Sequence, residues 1–368
     1  MLAIALVTML VAGCYPEVGP TSVPVLAPVA PPSGTTTNPS SPSTGPLGPN
    51  VPGIYWGAQI GDQYTGGHPP WDMNAVTQFE AMTGKSASIV AFAAPFANCY
   101  SGCTNYTFDT NAFENIHQHG SIPFFSWASQ SLPSSLNEPN YQLRDVTAGT
   151  YDAFIRDWAT AARNWGHPFF LRFNWEMNGN WFPWAEGVNG NKAGDYVAAW
   201  RHVHDIFTSV GASNAAWVWC PNVDSRNQFT SLAGLYPGDS YVDWTCLDGY
   251  NWGAQNGSWD SFDSLYHSTY HEIVDTIAPS KPMIIGEISS SETGGSKADW
   301  ITDALTVQIP QRYTKIRGVV WMDVFVDNMD WPINSSASSK AAFGAAVRQS
   351  TYAANRFASA AAPLRPPT

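Results

Sequence analysis

From residue 51 onward, short apolar runs alternate with segments whose hydrophobic pattern is helical, and the alternation repeats eight times. The predicted strands lie at 54–58, 86–93, 121–127, 169–175, 215–220, 242–250, 281–287 and 316–323. The predicted helices lie at 71–84, 109–120, 150–166, 193–210, 227–235, 261–277, 296–311 and 338–357. Strands that are apolar on both faces are typical of parallel sheets covered by helices. We therefore predict a single (β/α)8 TIM barrel over residues 51–360 and a flexible tail at 361–368; an open doubly wound sheet is the alternative.

The composition combines few charges with many aromatic rings. Only 12% of residues are charged, whereas 14% are aromatic, with 17 Trp among them. Some of these rings fill a large core, and the excess suggests flat platforms for sugar rings. A net charge of -12 argues against a nucleic-acid partner, because a phosphate backbone requires a basic face. We find neither a Gly-rich phosphate loop nor a zinc-type cluster of His and Cys, so we expect no cofactor and no metal.

The first 50 residues differ from the rest. Residues 1–14 are interpreted as an export signal, because residues 1–13 are apolar but too short to span a bilayer. Residues 11–14 (VAGC) resemble a bacterial lipobox, in which the chain is cut before Cys14 and the thiol is lipidated, although no Lys or Arg precedes them. An uncleaved apolar N-terminus is the alternative. Residues 15–50, rich in Pro, Ser and Thr, predict a disordered tether. We expect a monomer that is extracellular or attached to the cell membrane through Cys14.

Two glutamates are the candidate catalytic residues. Glu176 follows the fourth apolar run, and Glu287 ends the seventh. The active site of such a barrel lies at the C-terminal strand ends, so the two acids would face each other across its mouth. Carboxyl groups about 5–5.5 Å apart suit double displacement at a glycosidic bond with retention of configuration. Alternatively, each acid only satisfies a neighbouring group such as Arg172. The other candidates at strand ends are Trp56, Trp127, Asn222, Tyr250, Trp321 and Asp323.

Several motifs carry a resemblance to a known family. Residues 172–179 (RFNWEMNG) and 181–184 (WFPW) resemble the acid/base motif of glycoside hydrolase family 26. Residues 217–222 (WVWCPN), 247–252 (LDGYNW), 281–287 (KPMIIGE) and 319–321 (VVW) are similar to its motifs on strands five to eight. The resemblance extends from about residue 53 to residue 352. It implies a retaining (β/α)8 endo-β-glycanase that hydrolyses a neutral polysaccharide.

The resemblance also implies roles for single residues. Glu176 would be the acid/base and Glu287 the nucleophile. Tyr250 would hydrogen-bond the nucleophile, and Arg172 would support the floor of the site. The remaining residues expected to bind substrate are Trp175, Trp181, Trp184, Asn222, Trp252 and Trp321, of which Trp181 and Trp321 would flank the sugar. Packing is the alternative role for these tryptophans, and capping of the next turn is the alternative for Asn222.

Trp175 departs from the family pattern. Mannan-cleaving members usually have His immediately before the acid/base. The family includes β-1,4-mannanases, mixed-linkage β-1,3-1,4-glucanases and β-1,3-xylanases. We predict a β-1,4-mannanase by a narrow margin, with mixed-linkage β-glucan and then β-1,3-xylan as alternative substrates. Two alternatives to an enzyme are a catalytically dead carbohydrate-binding barrel and a structural envelope lipoprotein.

The sequence also supports predictions for the cysteines, the acids after the eighth strand and the histidines. Cys99 and Cys103 are predicted to form a small disulfide in the loop after the second strand, whereas Cys220 and Cys246 are predicted to be buried thiols. Asp323, Asp327 and Asp330 are predicted to lie in a solvated loop, with binding of sugar hydroxyls or calcium as alternatives. The histidines of the helices, including His117, are interpreted as surface or packing residues.

Overall fold

The computed structural model describes residues 53–223, 230–326 and 328–367. The predicted export signal with Cys14, the predicted tether and Asp327 lie outside these residues, as does the first part of the helix predicted at 227–235. In the three described segments, no helix is both long enough and apolar enough to cross a bilayer.

Within the described residues, eight parallel strands form a closed barrel. They are β1 Tyr55–Ile60, β2 Ile89–Asn98, β3 Ile122–Leu132, β4 Phe169–Phe173, β5 Ala215–Trp219, β6 Trp244–Cys246, β7 Met283–Ser290 and β8 Ile316–Asp323. β1 pairs with both β2 and β8, with Tyr55 opposite Gly318. Because no barrel strand is left with a free edge, the predicted (β/α)8 barrel is confirmed and the open sheet is excluded. A two-residue strand, Thr104–Asn105, forms a hairpin with the end of β2.

Helices cover the outside of the barrel. They are α1 Met73–Thr83, α2 Thr110–Gln118, α3 Leu143–Thr147, α4 Asp152–Trp165, α5 Asp195–Val210, α6 Phe262–His271, α7 Lys297–Asp303 and α8 Ala337–Val347. Helices α6 and α7 continue as π-helices over Glu272–Ile277 and Ala304–Arg312. Local sequence sets several of the ends: Asp109 caps the start of α2 through the Ala112 amide, and Gly166 ends α4 in the left-handed conformation.

Two predicted helices differ from the structure. The last helix ends at Val347 rather than 357, because the Thr351 carbonyl and the Ala353 amide both bond Ile54 beside β1. In place of the weak helix near 227–235, the described residues contain only the 3-10 turn Leu232–Leu235.

The sixth strand is interrupted, contrary to the continuous run predicted at 242–250. β6 stops at Cys246, and Gly249–Asn251 resumes the pairing with β7. Asp248 lies at this break, where its backbone bridges to Asn222. Its fully buried carboxylate contacts Arg172.

The C-terminal segment is not the flexible tail that we predicted. Leu364 is buried, and its carbonyl accepts a hydrogen bond from Trp244 Nε1 at 3.1 Å. The Arg365 carbonyl accepts one from the Tyr55 hydroxyl at 2.7 Å. Residues 361–367 therefore lie against the N-terminal ends of the barrel strands, because Trp244 and Tyr55 both begin strands.

Candidate active site

Glu176 lies three residues beyond β4, in a turn where its backbone is in the left-handed region. Its φ is +52°, and its amide donates to the Cys220 carbonyl at 2.6 Å. The side chain is 5% exposed. Asn222 Nδ2 donates to Oε1 and Trp181 Nε1 donates to Oε2, each at 2.6 Å. The sequence left the role of Asn222 open; the structure shows that its amide holds the candidate acid.

The pKa of Glu176 is raised to about 7. Burial is the largest cause, because a charged carboxylate loses solvation there, and the negative charge of Glu287 adds to it. Hydrogen bonds from Asn222 and Trp181 act in the opposite direction, since they favour the ionised form. A carboxyl group with this pKa is protonated often enough near neutral pH to act as a general acid.

This balance predicts a specific pH effect. If Glu176 must be protonated, kcat/KM falls as the pH rises through about 7. Trp181→Phe removes a bond that stabilises the carboxylate, so the pKa rises further and the basic limb of the profile moves to higher pH. Trp184→Phe is the matched control, because Trp184 Nε1 donates to the Trp175 carbonyl and not to an acid. A basic limb that stays in place or moves to lower pH in Trp181→Phe would contradict this assignment.

Glu287 lies within β7 and is 2% exposed. Arg172 Nη2 donates to its Oε1 at 2.5 Å, and the Tyr250 hydroxyl donates to its Oε2. Both carboxylate oxygens therefore accept hydrogen bonds from strong donors, which fix the orientation of the side chain. The structure brings together Arg172, Tyr250 and Glu287, as the motifs led us to expect.

Asp248 is a site residue to which the sequence analysis gave no role. Its Oδ2 accepts a bond from Arg172 Nη1 at 2.7 Å, and Arg172 Nε donates to Ser126 Oγ at 2.8 Å. Burial raises the pKa of Asp248 well above its usual range, and the Arg172 charge opposes that rise. Gly286 makes the arrangement possible, because a Cβ there would lie 2.7 Å from Asp248 Oδ1. An acid inside an otherwise apolar strand was the signal in the sequence.

The three acids are close together. One oxygen each of Glu176, Asp248 and Glu287 lies within 4.8 Å of the others. Arg172 donates to two of these acids and supplies the positive charge between them. The two side-chain bonds of Glu176 come from the neutral donors Trp181 and Asn222, so Arg172 is not the neighbour that satisfies this acid.

The aromatic residues of the 181–184 loop divide into two groups. Trp181 is 9% exposed and bonds the acid through its ring nitrogen. Trp184 is fully buried and packs against Phe182 with ring centroids 4.2 Å apart. The Arg172 guanidinium lies over the Trp175 ring, with its Cζ 4.9 Å from the ring centroid. Trp175 is 1% exposed and Trp184 is fully buried, so we correct the prediction of sugar contact for both.

Three tryptophans predicted at strand ends face the helices instead. Trp321 packs against Trp300 of α7 and Phe343 of α8, and it is fully buried. Trp56 and Trp127 likewise pack against helices, at α1 and α8 for Trp56 and at α4 for Trp127. Successive side chains of a strand point to opposite faces, so a residue near a strand end has an even chance of pointing outward. The expected contact of Trp321 with sugar is therefore wrong.

Trp331 provides the aromatic contact beside the candidate nucleophile. Its ring lies 5.2 Å from that of Tyr250 and 5.0 Å from that of Trp252, which is half-buried. Its carbonyl accepts bonds from Ser289 Oγ, Trp321 Nε1 and Lys297 Nζ. The loop after β8 therefore supports Tyr250, which in turn bonds Glu287.

Two buried ionic groups hold this loop. Lys297 is fully buried, and its ammonium donates to the carbonyls of Asp330, Trp331 and Pro332 and to Ser335 Oγ. Burial lowers the pKa of Lys297 to about 8. Asp323 accepts bonds from the Tyr64 hydroxyl at 2.6 Å and from the Ile333 amide at 2.7 Å. Asp323 is thus a buried anchor, which corrects the prediction that this residue lies in a solvated loop.

Lys297→Met is expected to lower the free energy of unfolding by about 3 kcal/mol, because three buried carbonyls lose a charged donor. We also expect a higher KM, since Trp331 is no longer held against Tyr250. Urea unfolding and initial-rate kinetics measure the two effects. Lys340→Met, at an exposed position of α8, is the control. Equal stability of the two variants would show that the buried ammonium does not anchor the loop.

The structure contains two disulfides among its described residues. Cys99 is bonded to Cys103, the pairing expected from the sequence. Cys220 is bonded to Cys246, which corrects our prediction of two free thiols. The second bond joins the end of β6 to the residue after β5, directly beneath the network of Arg172 and Asp248. Adjacent parallel strands bring the two sulfurs together, which a separation of 26 residues in sequence did not reveal.

Comparison with known proteins identifies the family to which this chain belongs. The model of "Glycosyl hydrolase family 26" matches residues 71–304, which include both candidate glutamates. The chain belongs to this family. It is 35% identical over 311 residues to Endoglucanase H of Acetivibrio thermocellus; the match covers 82% of this chain and 31% of that protein. It is also 35% identical to a mannan endo-1,4-β-mannosidase of Bacillus subtilis over 103 residues, or 26% of this chain and 27% of that protein.

Among solved structures, the fold is similar to that of the Bacillus subtilis mannanase BCman. The TM-score is 0.56 and the identity 20%, over 82% of this chain and 87% of that chain. At this identity the similarity establishes the family's barrel fold alone. This chain spans about a third of the length of Endoglucanase H, so what that whole protein does is not transferred to this chain as a finding.

Proposed function

We propose that this chain is a retaining endo-β-glycanase that hydrolyses internal bonds of a neutral polysaccharide. The observation that carries the proposal is the oxygen separation of at most 4.8 Å between Glu176 and Glu287. Retaining glycosidases place their carboxyl groups about 5–5.5 Å apart, whereas inverting enzymes need about 6.5–9.5 Å for an intervening water.

The two acids have environments that suit different roles. Glu287, held by Arg172 and Tyr250, attacks the anomeric carbon as a carboxylate and forms a glycosyl-enzyme. Glu176, with its raised pKa, gives its proton to the leaving oxygen. It then takes a proton from the water that hydrolyses the intermediate. A catalytically dead binding barrel has no need of this arrangement of paired acids, buried Arg172 and Tyr250.

For the substrate, we propose mixed-linkage β-1,3-1,4-glucan ahead of β-1,4-mannan, which reverses the order favoured from the motifs. The match to Endoglucanase H covers 82% of this chain at 35% identity, whereas the mannanase match at the same identity covers 26% of it. Trp175 also supports a substrate other than mannan. Mannan-cleaving members usually carry a polar His at this position. Here the apolar ring of Trp175 packs against Arg172.

Initial rates of reducing-sugar release on mixed-linkage β-glucan, galactomannan and β-1,3-xylan test this proposal. We expect kcat/KM on the glucan to exceed that on galactomannan at least about tenfold. Trp175→His is expected to narrow this ratio. A higher value on galactomannan would overturn the choice of glucan, whereas failure to cleave all three would count against the enzymatic function.

We further propose that the protein is exported and held at the cell surface through Cys14. The lipobox-like residues 11–14 support this, and two disulfides favour an oxidising compartment. In cells that make the full chain, wild-type protein is expected to enter the detergent phase on Triton X-114 partition, and Cys14→Ser to remain in the aqueous phase. Aqueous partition of both would contradict lipidation.

A further inference from the structure

Two histidines and a glutamate converge on the outside of the barrel, between α2 and the entry to β4. Glu114 and His117 lie one turn apart on α2, and His167 follows α4. One carboxylate oxygen of Glu114 and one ring nitrogen of each histidine lie within 4.8 Å of one another. The two imidazole rings are stacked with centroids 3.7 Å apart. All three side chains are half-buried, which leaves one side open to solvent.

Neighbouring side chains hold Glu114 in place without neutralising it. Trp165 Nε1 donates to its Oε2 and Gln118 Nε2 to its Oε1, each at 2.9 Å. Each oxygen retains a further acceptor site. Across the residues that the structure describes, no ion pair with Lys or Arg involves Glu114. The carboxylate is therefore oriented and still able to take a ligand.

We propose that Glu114, His117 and His167 bind a divalent transition ion of the zinc class, with water as the fourth ligand. Two imidazole nitrogens and one carboxylate oxygen are a donor set that zinc accepts, whereas calcium and magnesium prefer oxygen alone. Ligand atoms of a tetrahedral zinc lie about 3.3–3.5 Å apart, given zinc–nitrogen bonds of about 2.0–2.1 Å. Binding would require the two stacked imidazole rings to turn until one nitrogen of each points at the ion.

The ion would join two parts of the chain that are distant in sequence. His117 lies in α2, whereas His167 leads into β4, so the metal would link a helix to the N-terminal side of a barrel strand. Glu176 lies beyond the other end of the same strand, roughly 25 Å away. The site therefore stabilises the fold and takes no part in hydrolysis. Sequence inspection missed it because no short motif contains both histidines.

Equilibrium dialysis of the full chain against zinc chloride, with the bound metal measured by mass spectrometry, tests the site. We expect one zinc per chain at this cluster and a rise in Tm of about 3 °C at saturating zinc. Calcium chloride is expected to change neither. His117→Gln and His167→Gln, which keep side chains of similar size, are each expected to abolish both the bound zinc at this cluster and the Tm rise.

His271→Ala is the control variant, because His267 and His271 on α6 are a second pair of neighbouring histidines, with ring centroids 4.6 Å apart, and both are exposed. This variant is expected to keep the zinc-dependent rise in Tm. The proposal would be overturned if His117→Gln kept the zinc-dependent rise in Tm while His271→Ala lost it. Absence of zinc binding by the wild-type chain would overturn it as well. A zinc requirement for polysaccharide hydrolysis would contradict the purely structural role.

Discussion

Glu287→Gln is expected to lower kcat on mixed-linkage β-glucan on the order of 10^4-fold or more, the scale on which loss of a covalent nucleophile acts. The neutral amide cannot attack the anomeric carbon. Gln keeps the size of the side chain and an oxygen for Arg172, so the fold is expected to remain. Initial rates of reducing-sugar release measure the loss, and circular dichroism monitors the fold.

Glu292→Gln is the matched control for this variant. Glu292 lies in the loop just after β7 and accepts hydrogen bonds from Ser335 and Ser339. We expect nearly wild-type rates on the glucan. In the wild-type protein, the sugar end first released is expected to be the β-anomer by proton NMR. An initial α-anomer would eliminate double displacement, and substantial activity in Glu287→Gln would eliminate the nucleophile assignment.

Glu176→Ala is expected to reduce kcat/KM on the polysaccharide about 10^2–10^4-fold, the usual contribution of general acid–base catalysis. A polysaccharide leaving group needs the proton that Glu176 supplies. A dinitrophenyl glycoside carries a leaving group that departs without one, so its glycosylation step is expected to be nearly unaffected. Comparison of the two substrates in the same variant separates loss of the acid from loss of the fold.

Azide provides the second half of that test. With the dinitrophenyl substrate, Glu176→Ala is expected to accumulate the glycosyl-enzyme, because no base activates water. Azide attacks without a base, so it is expected to restore turnover and to yield a β-glycosyl azide, which NMR identifies. Glu287→Ala, which can form no such intermediate, is expected to yield the α-azide. The same anomer from both variants would contradict the assigned pair of roles.

Much of the fold was predictable from local pattern. All eight barrel strands overlap the apolar runs predicted for them, because parallel strands covered by helices must be apolar on both faces. Glu176 and Glu287 stood out because each is a charged residue at the end of an apolar run, where burial of an unpaired charge is costly. The interruption at Asp248 carried the same signal, and its role went unrecognised because strand six was taken as continuous.

The direction of side chains was harder to predict. Trp321 and Trp331 follow each other within ten residues, and each has its ring fully buried. Trp321 points to the helices, whereas Trp331 returns from the loop to pack on Tyr250. A shift of one residue in strand register reverses the face that a side chain occupies. Identifying Trp331 as the aromatic partner of Tyr250 also required the path of the loop after β8, which only the tertiary structure gives.

By itself the sequence determined the barrel and the two glutamates, because both depend on local information: the apolar period of each strand and the acid that ends it. The tertiary structure decided which groups surround those acids. Arg172 of β4 and Tyr250 of the interrupted sixth strand both bond Glu287, whereas Asp248, at the break in that strand, bonds Arg172. Asn222, which follows β5, reaches Glu176. Contacts of this kind depend on strand register and on burial, which one strand's own residues do not specify.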